Sequence, residues 1–410
     1  MVVVMELSTT EFIEKYAVKR TGTNSLKWDA LDQRYGDPDL IAMWVADMEF
    51  KVPEAVTTAL TERVNHGVYG YSYTPDSYYE AYFAWQEKRH NIKLEKDWLR
   101  FDTGVVNSIY GLVNTFTKPQ DAVLILTPVY YPFHNAVLDN HRQLVTSELV
   151  NDDGHYTIDF KDIEAKIVAN KVKLLIQCSP HNPVGRVWTE AELKQLLAIC
   201  QRHHVLVISD EIHQDIIIGK KPFVSALNVA HGRYRNNLIV VTAPSKTFNL
   251  AAMLNSHVII PSDELRQRYD TFHKQINQTE VSVLGQVAAE AAYRAGGEWL
   301  DQLLNVVRSN YEYLRTELAA KVPAIKVADL EGTYLAWLDL RAVVPADLTK
   351  EFIQDECHLA VDFGQWFSKN DAGFVRLNLA TEPKYVHAAV ANIINSLAKI
   401  NETRAISAAE

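Results

Sequence analysis

Cysteine is scarce in this chain: Cys178, Cys200 and Cys357 are its only three, odd in number and far apart. That excludes a disulfide framework and a zinc-ligand spacing, and makes a reducing cytoplasm the expected compartment. Long apolar runs are also missing, none approaching the roughly 20 residues of a membrane helix. The apolar start, residues 1–5, has no basic stretch ahead of it and runs into Glu6, too short for a signal peptide. Positive charge is in deficit, with 41 basic against 51 acidic side chains and a net charge of −10. Such a balance argues against nucleic acid and other polyanions as partners. Internal repeats and low-complexity linkers are absent, and only residues 401–410 read as a loosely held end.

What is present suffices for a large folded body. At 410 residues and 48% hydrophobic content, more than one core can be buried, so a large α/β domain with a second lobe is expected. The first fifty residues show no long helical pattern and close with Trp44-Val45-Ala46-Asp47-Met48-Glu49-Phe50. Residues 52–67 begin near Pro53 and stop at Gly67, the punctuation of a helix. An aromatic loop, Val68-Tyr69-Gly70-Tyr71-Ser72-Tyr73, then precedes an amphipathic segment over 77–90.

Beyond residue 100 the pattern alternates. Thr103-Gly104-Val105-Val106 leads into a helix with Ile109, Leu112, Val113 and Phe116 on one face. A glycine ahead of a helix leaves backbone N–H groups open to an anion. Residues 122–126, 143–150, 172–178, 205–209 and 238–242 read as strands, and 190–203 as a crossover helix with Leu193, Leu196, Leu197 and Cys200 at helical spacing. This implies a buried, mainly parallel sheet. Past residue 295 come a helix over 299–321, strands over 334–340 and 374–379, and a last helix over 384–400. The predicted division is a large domain over 51–295 and a smaller α+β domain from 1–50 and 296–410.

Three of the strands end in polar residues: Ser179-Pro180-His181-Asn182-Pro183-Val184-Gly185, Ser209-Asp210-Glu211-Ile212-His213 and Ser245-Lys246. Parallel strands converge at their C-terminal ends, so an amide, a carboxylate, an imidazole and an amine should meet in one crevice. Each has a use if the ligand is pyridoxal 5'-phosphate. Lys246 would bind it covalently, Asp210 would pair with its ring nitrogen, and Asn182 and His213 would reach its phenolic oxygen. Tyr130 would stack on the ring, and the turn at Gly104 would take the phosphate. Glu211, Asp47, His181 and Tyr73 stay open between structural and functional roles, and Cys178 and Cys200 read as packing residues.

These segments resemble the fold type I pyridoxal-phosphate enzymes, the family that includes aspartate aminotransferase. The 44–50 segment, His66-Gly67-Val68-Tyr69-Gly70-Tyr71 and Gly373-Phe374-Val375-Arg376-Leu377-Asn378 are similar to its cystathionine β-lyase branch of the MalY and PatB type. The resemblance spans nearly the whole chain. It implies an aspartate-aminotransferase-like α/β fold, and a carbon–sulfur β-lyase releasing pyruvate, ammonia and a thiol. By the same resemblance, Gly104, Val105 and Val106 with Ser245 bind the phosphate, and Arg376 with Asn182 binds the substrate carboxylate. It further implies a homodimer with Tyr71 contributed across the interface, and cis bonds at Thr127-Pro128 and Asn182-Pro183. The alternatives are an aminotransferase on the same scaffold and a regulatory protein that keeps the fold without turnover. Departures favour the lyase branch: Leu254 stands where aminotransferases commonly have a phosphate-binding arginine, Ala243 where a serine is common, and His213 where aspartate aminotransferase has tyrosine.

Overall fold

The computed structural model describes residues 7–278 and 281–407. Residues 1–6 and 408–410, on which the leader and part of the C-terminal expectation fell, lie outside the described residues. Seven strands form the large sheet: β1 (Leu99–Asp102), β2 (Ala122–Thr127), β3 (Gln143–Glu148), β4 (Leu174–Cys178), β5 (Leu206–Asp210), β6 (Leu238–Thr242) and β7 (Ser256–Ile259). Their order is β1-β7-β6-β5-β4-β2-β3, parallel except for β7, which runs antiparallel to both neighbours.

The central strands are continuous apolar runs because helices cover both faces. Side chains alternate between the two faces along each strand. Val123, Ile125, Leu174, Ile176, Ile208, Ile239 and Val241 join one core with Ile109, Leu112 and Val113 of the Val105–Phe116 helix. Leu124, Leu175, Val207, Leu238 and Val240 join the other, with Leu193, Leu196, Leu197 and Cys200 of the Glu190–Arg202 helix. Burial of this kind contributes about 25 cal/mol per Å² of apolar surface, and it is what chiefly holds the layers together.

Several boundaries differ from the sequence reading. The predicted strand over 143–150 stops at Glu148, and a separate hairpin, Val150–Asp152 with His155–Thr157, follows. Strands β1 and β7 were not expected, since neither is a long apolar run. The first fifty residues hold the short helix Thr9–Tyr16, and the final helix runs Pro383–Ser407 rather than stopping near residue 400.

A second, antiparallel sheet contains β8 (Lys326–Val327), β9 (Leu335–Asp339), β10 (Asp362–Phe363) and β11 (Phe374–Asn378), in the order β8-β9-β11-β10. Helices Gly297–Lys321 and Pro383–Ser407 pack against each other in the same part of the chain. The N-terminal stretch joins this region where Ile41–Ala42 pairs in parallel with Leu359–Ala360. Among the described residues no helix is long and apolar enough to cross a membrane, and no cluster of three or more His, Cys, Asp or Glu could hold a metal.

Candidate active site

The parallel register sets the site. Cys178 is level with Asp210, and Asp210 with Val241, so β4, β5 and β6 end together. A cleft of about 320 Å³ opens beyond these ends. It is lined by Gly104, Val105, Val106, Tyr130, Asn182, Asp210, His213, Ser245, Lys246 and Arg376, among others. One chain therefore gathers all the predicted site residues except Tyr71.

Lys246 follows β6 in the short helix Pro244–Thr247. Its Nζ donates to the carbonyl oxygen of Ala46 at 2.7 Å. Burial lowers its pKa to about 8; Asp47 opposes that shift, Arg376 reinforces it and Asp210 opposes it. A substantial fraction of the amine is then neutral near physiological pH, as a nucleophile or base requires.

Asp210, 4% exposed, accepts at Oδ1 from the Ile212 N–H at 3.0 Å. Burial raises its pKa to about 7, with Glu211 adding to the shift and Ile212 and Lys246 reducing it. A buried carboxylate so little compensated is a ready partner for a cation. The neighbouring His213 is held well below the usual histidine range, first by burial and then by the charges of Lys246 and Arg376. Its Nδ1 is buried without a partner. It is a neutral imidazole with a ring nitrogen to offer.

Gly104 caps the helix Val105–Phe116, whose first intrahelical bond runs from the Ser108 N–H to the Gly104 carbonyl at 2.9 Å. The preceding N–H groups have no acceptor within the helix. A side chain at Gly104 would meet nothing within 4 Å, so the turn is open where the helix N-terminus meets the cleft. On the opposite wall, Arg376 donates from Nη1 to Asn182 Oδ1 at 2.9 Å, and from Nη2 to Asp362. The Asn182 carbonyl in turn accepts from the Tyr130 N–H at 3.2 Å.

Tyr71 stands elsewhere. It is 96% exposed and lines a separate groove with Tyr69, Tyr73 and Tyr269. Residues left open in the sequence now have surroundings. Asp47 forms a double hydrogen bond with Arg20, at 2.6 and 2.8 Å. Glu211 is turned behind the sheet edge, accepting from Ser209 Oγ and the Ala226 N–H. His181 Nε2 donates to the Pro128 carbonyl at 2.8 Å, and Tyr73 is exposed. All three cysteines are buried, and Cys178 also lines the cleft. Leu254 is half exposed and outside the cleft lining, so it does not reach the turn at Gly104. The Thr127-Pro128 and Asn182-Pro183 bonds are cis, as is Ser179-Pro180.

Sequence reading missed how residues 45–50 are held. Asn249 Nδ2 donates to the Met48 and Phe50 carbonyls at 3.1 and 3.0 Å, and Asn378 Nδ2 to those of Val45 and Asp47, each at 2.7 Å. The asparagines that close the Lys246 and Arg376 motifs thus fasten residues 45–50, of which Val45 and Ala46 line the cleft. Tyr334 adds a bond to the Ala46 carbonyl at 2.8 Å. The signal was present in part, since 44–50 stood out as a motif, but nothing in it named its partners. Asp362 gave no sequence signal.

Residues 38–393 match the family model for aminotransferases of class I and II, and the chain belongs to that family. Its fold is the pyridoxal-phosphate-dependent, aspartate-aminotransferase-like fold. The chain is 36% identical to the cystathionine beta-lyase PatB of Bacillus subtilis (strain 168), over 88% of this chain and 93% of the relative. It is 32% identical to the protein MalY of Escherichia coli (strain K12), over 93% and 97%. Among solved structures it is similar to cystalysin from Treponema denticola, which contains a pyridoxal 5'-phosphate cofactor, with a TM-score of 0.90, 33% identity and coverage of 94% of this chain and 98% of that one.

Proposed function

We propose that the protein is a pyridoxal-phosphate-dependent carbon–sulfur β-lyase, cleaving cystathionine-type or cysteine-type L-amino acids to pyruvate, ammonia and a thiol. We place it in the cytoplasm as a homodimer, with residues 51–295 as the cofactor-binding domain. The observation that carries the reading is the Lys246 amine, its pKa lowered to about 8 by burial, sharing one cleft with the carboxylate of Asp210 and the guanidinium of Arg376. The similarity to PatB supports the choice of reaction.

The donors present suit the cofactor. Lys246 would hold its aldehyde carbon, the undercompensated Asp210 would take the charge of a protonated ring nitrogen, and His213 and Asn182 would flank the phenolic oxygen. The helix N-terminus at Gly104, Val105 and Val106, with Ser245, would hold the phosphate. Tyr71 would reach that phosphate from the neighbouring subunit. When bound, pyridoxal phosphate supplies an electron sink for charge developing at the substrate Cα.

The chain's own residues do the rest. Arg376 grips the α-carboxylate, orienting the Cα–H bond toward Lys246. The Lys246 amine, freed once the substrate amine has taken its place on the aldehyde carbon, would remove that proton in its neutral form, a step worth about 10² to 10⁴ in rate. The Cβ–S bond breaks with its electron pair leaving on sulfur, and water converts the remaining three-carbon fragment to pyruvate and ammonia. Asn249 and Asn378 hold residues 45–50 in place, and with them Val45 and Ala46 in the cleft wall. The test supplies cystathionine or cysteine to the holoenzyme without any keto acid. Steady release of pyruvate and thiol supports the lyase; turnover only after a keto acid is added marks an aminotransferase and sinks it.

A further inference from the structure

A carboxylate that the chemistry above does not use lies behind the cleft. Asp215 belongs to the loop that leaves β5, the same loop that carries Asp210 and His213. It is 6% exposed and outside the cleft lining, so it stands behind the site rather than in it. Its two oxygens take three donors from two other elements. Oδ2 accepts from Thr247 Oγ1 at 2.8 Å, and Oδ1 accepts from Trp85 Nε1 at 3.0 Å and His90 Nε2 at 2.7 Å. Trp85 and His90 both come from the helix Asp76–His90, and the Trp85 ring meets that of Phe248 edge-on at 5.2 Å.

These donors decide its charge. Burial pushes the neighbouring Asp210 and Glu211 up to about 7. Burial acts on Asp215 in the same direction, but His90, by its charge and its hydrogen bond, together with Thr247 and Trp85 outweighs it and holds the carboxyl below the usual range. Asp215 is therefore an ionised acceptor, and hydrogen bonds to an ionised acceptor are the strong ones.

Thr247 is the residue after Lys246, at the end of the helix Pro244–Thr247. A single turn of helix is too short to hold itself. Asn249 fastens one side of it to the Met48 and Phe50 carbonyls, and the Thr247 hydroxyl fastens it to Asp215. One loop carries the residues expected at the ring nitrogen and the phenolic oxygen, the other the amine expected at the aldehyde carbon. The Thr247–Asp215 bond joins the two directly.

We propose that Asp215 is a positioning residue: through the Thr247 hydroxyl it sets the Lys246 amine at a fixed place relative to Asp210 and His213, so that an aldehyde held by those two meets the amine in reacting geometry. The inference rests on attachment of pyridoxal phosphate at Lys246 as read above, and it holds for a lyase and an aminotransferase alike. Misplacing reacting groups by about 1 Å can cost roughly 10²-fold in rate.

The test strips the holoenzyme of its cofactor, remixes it with pyridoxal 5'-phosphate, and follows by stopped flow the rise of visible absorbance as Lys246 attaches. Thr247→Val, which removes the hydroxyl and keeps the side-chain shape, should slow attachment by about tenfold or more. Thr247→Ser, which keeps the hydroxyl, should recover most of that rate. Asp215→Asn should slow it as well, and the double variant should be no slower than the slower single one, because both changes remove the same link. A role in packing alone would lower the melting temperature and leave the attachment rate of the folded protein unmoved. Attachment at the wild-type rate in a folded Thr247→Val, equal slowing by the serine variant, or additive effects in the double variant each overturn the proposal. Should Asp215→Asn fail to fold, the valine and serine pair decides it. A wild type that gains no visible band refutes attachment at Lys246 and this proposal with it, whereas a wild-type band with unmoved variants sinks the positioning alone.

Discussion

The amine of Lys246 donates to the carbonyl oxygen of Ala46 at 2.7 Å, across 200 positions of sequence. That bond ties the residue expected to do the chemistry to the segment beside it. It also gives the amine an acceptor, so the side chain is held in the cleft rather than free to search it. Replacing Lys246 by alanine should lower kcat by about 10² to 10⁴. The same variant should lose the visible absorbance of the covalently held cofactor, and a wild-type spectrum with retained turnover would refute the role.

The depressed pKa of Lys246 has a testable sign. Burial disfavours the ammonium form, so the neutral amine accumulates as pH rises through about 8, well below the usual lysine range. In the apoprotein, modification of Lys246 by an amine-directed reagent, followed by mass spectrometry, should rise with a midpoint near that pH. Surface lysines in the same sample should need a far higher pH.

Asp210 should behave oppositely for stability and for function. Its folded-state pKa, raised to about 7, lies above the unfolded value, so ionising it costs folding free energy progressively as pH climbs from about 4 toward 7. Asp210→Asn should therefore stabilise the apoprotein at neutral pH by up to about 4 kcal/mol, seen as a higher midpoint in denaturant. If Asp210 pairs with the ring nitrogen as proposed, the variant should also weaken cofactor binding and slow turnover.

Arg376→Lys keeps the charge and removes the planar fork. With Asn182 and Asp362 already engaging the guanidinium, a lysine cannot satisfy them and a substrate carboxylate together. A rise in KM of about tenfold or more is expected from steady-state kinetics, with a smaller change in kcat.

Tyr71 lies outside the cleft of its own chain, and the role proposed for it in a neighbouring subunit can be tested by mixing. Tyr71→Ala and Lys246→Ala dimers should each be poorly active. Dissociated and reassociated together, they should regain activity, because some hybrid dimers carry one intact site. Activity no greater than the parents' would deny that Tyr71 serves across an interface.

The apolar runs of β2, β4, β5 and β6 were legible because strands buried on both faces must be apolar throughout, and that pattern survives without knowledge of their neighbours. The polar residues that follow them were legible for the same reason: a parallel sheet brings C-terminal ends together, so Asn182, Asp210, His213 and Lys246 follow from the order of strands. Strands β1 and β7 escaped because short half-polar segments become strands only by pairing with neighbours, β7 with β6 and β1 with β7.

The sequence by itself determined the covalent inventory of the cleft, its lysine, carboxylate, imidazole, arginine and the glycine turn ahead of a helix. Tertiary structure alone decided how that inventory is used. The shift of Lys246 toward neutrality and of Asp210 toward protonation comes from burial, which no residue type carries alone. The pairing of Asp362 with Arg376 comes from strand register, and the fastening of residues 45–50 from asparagine bonds to distant carbonyls. Contacts between residues hundreds of positions apart depend on how the chain closes on itself, and local sequence holds no record of that distance.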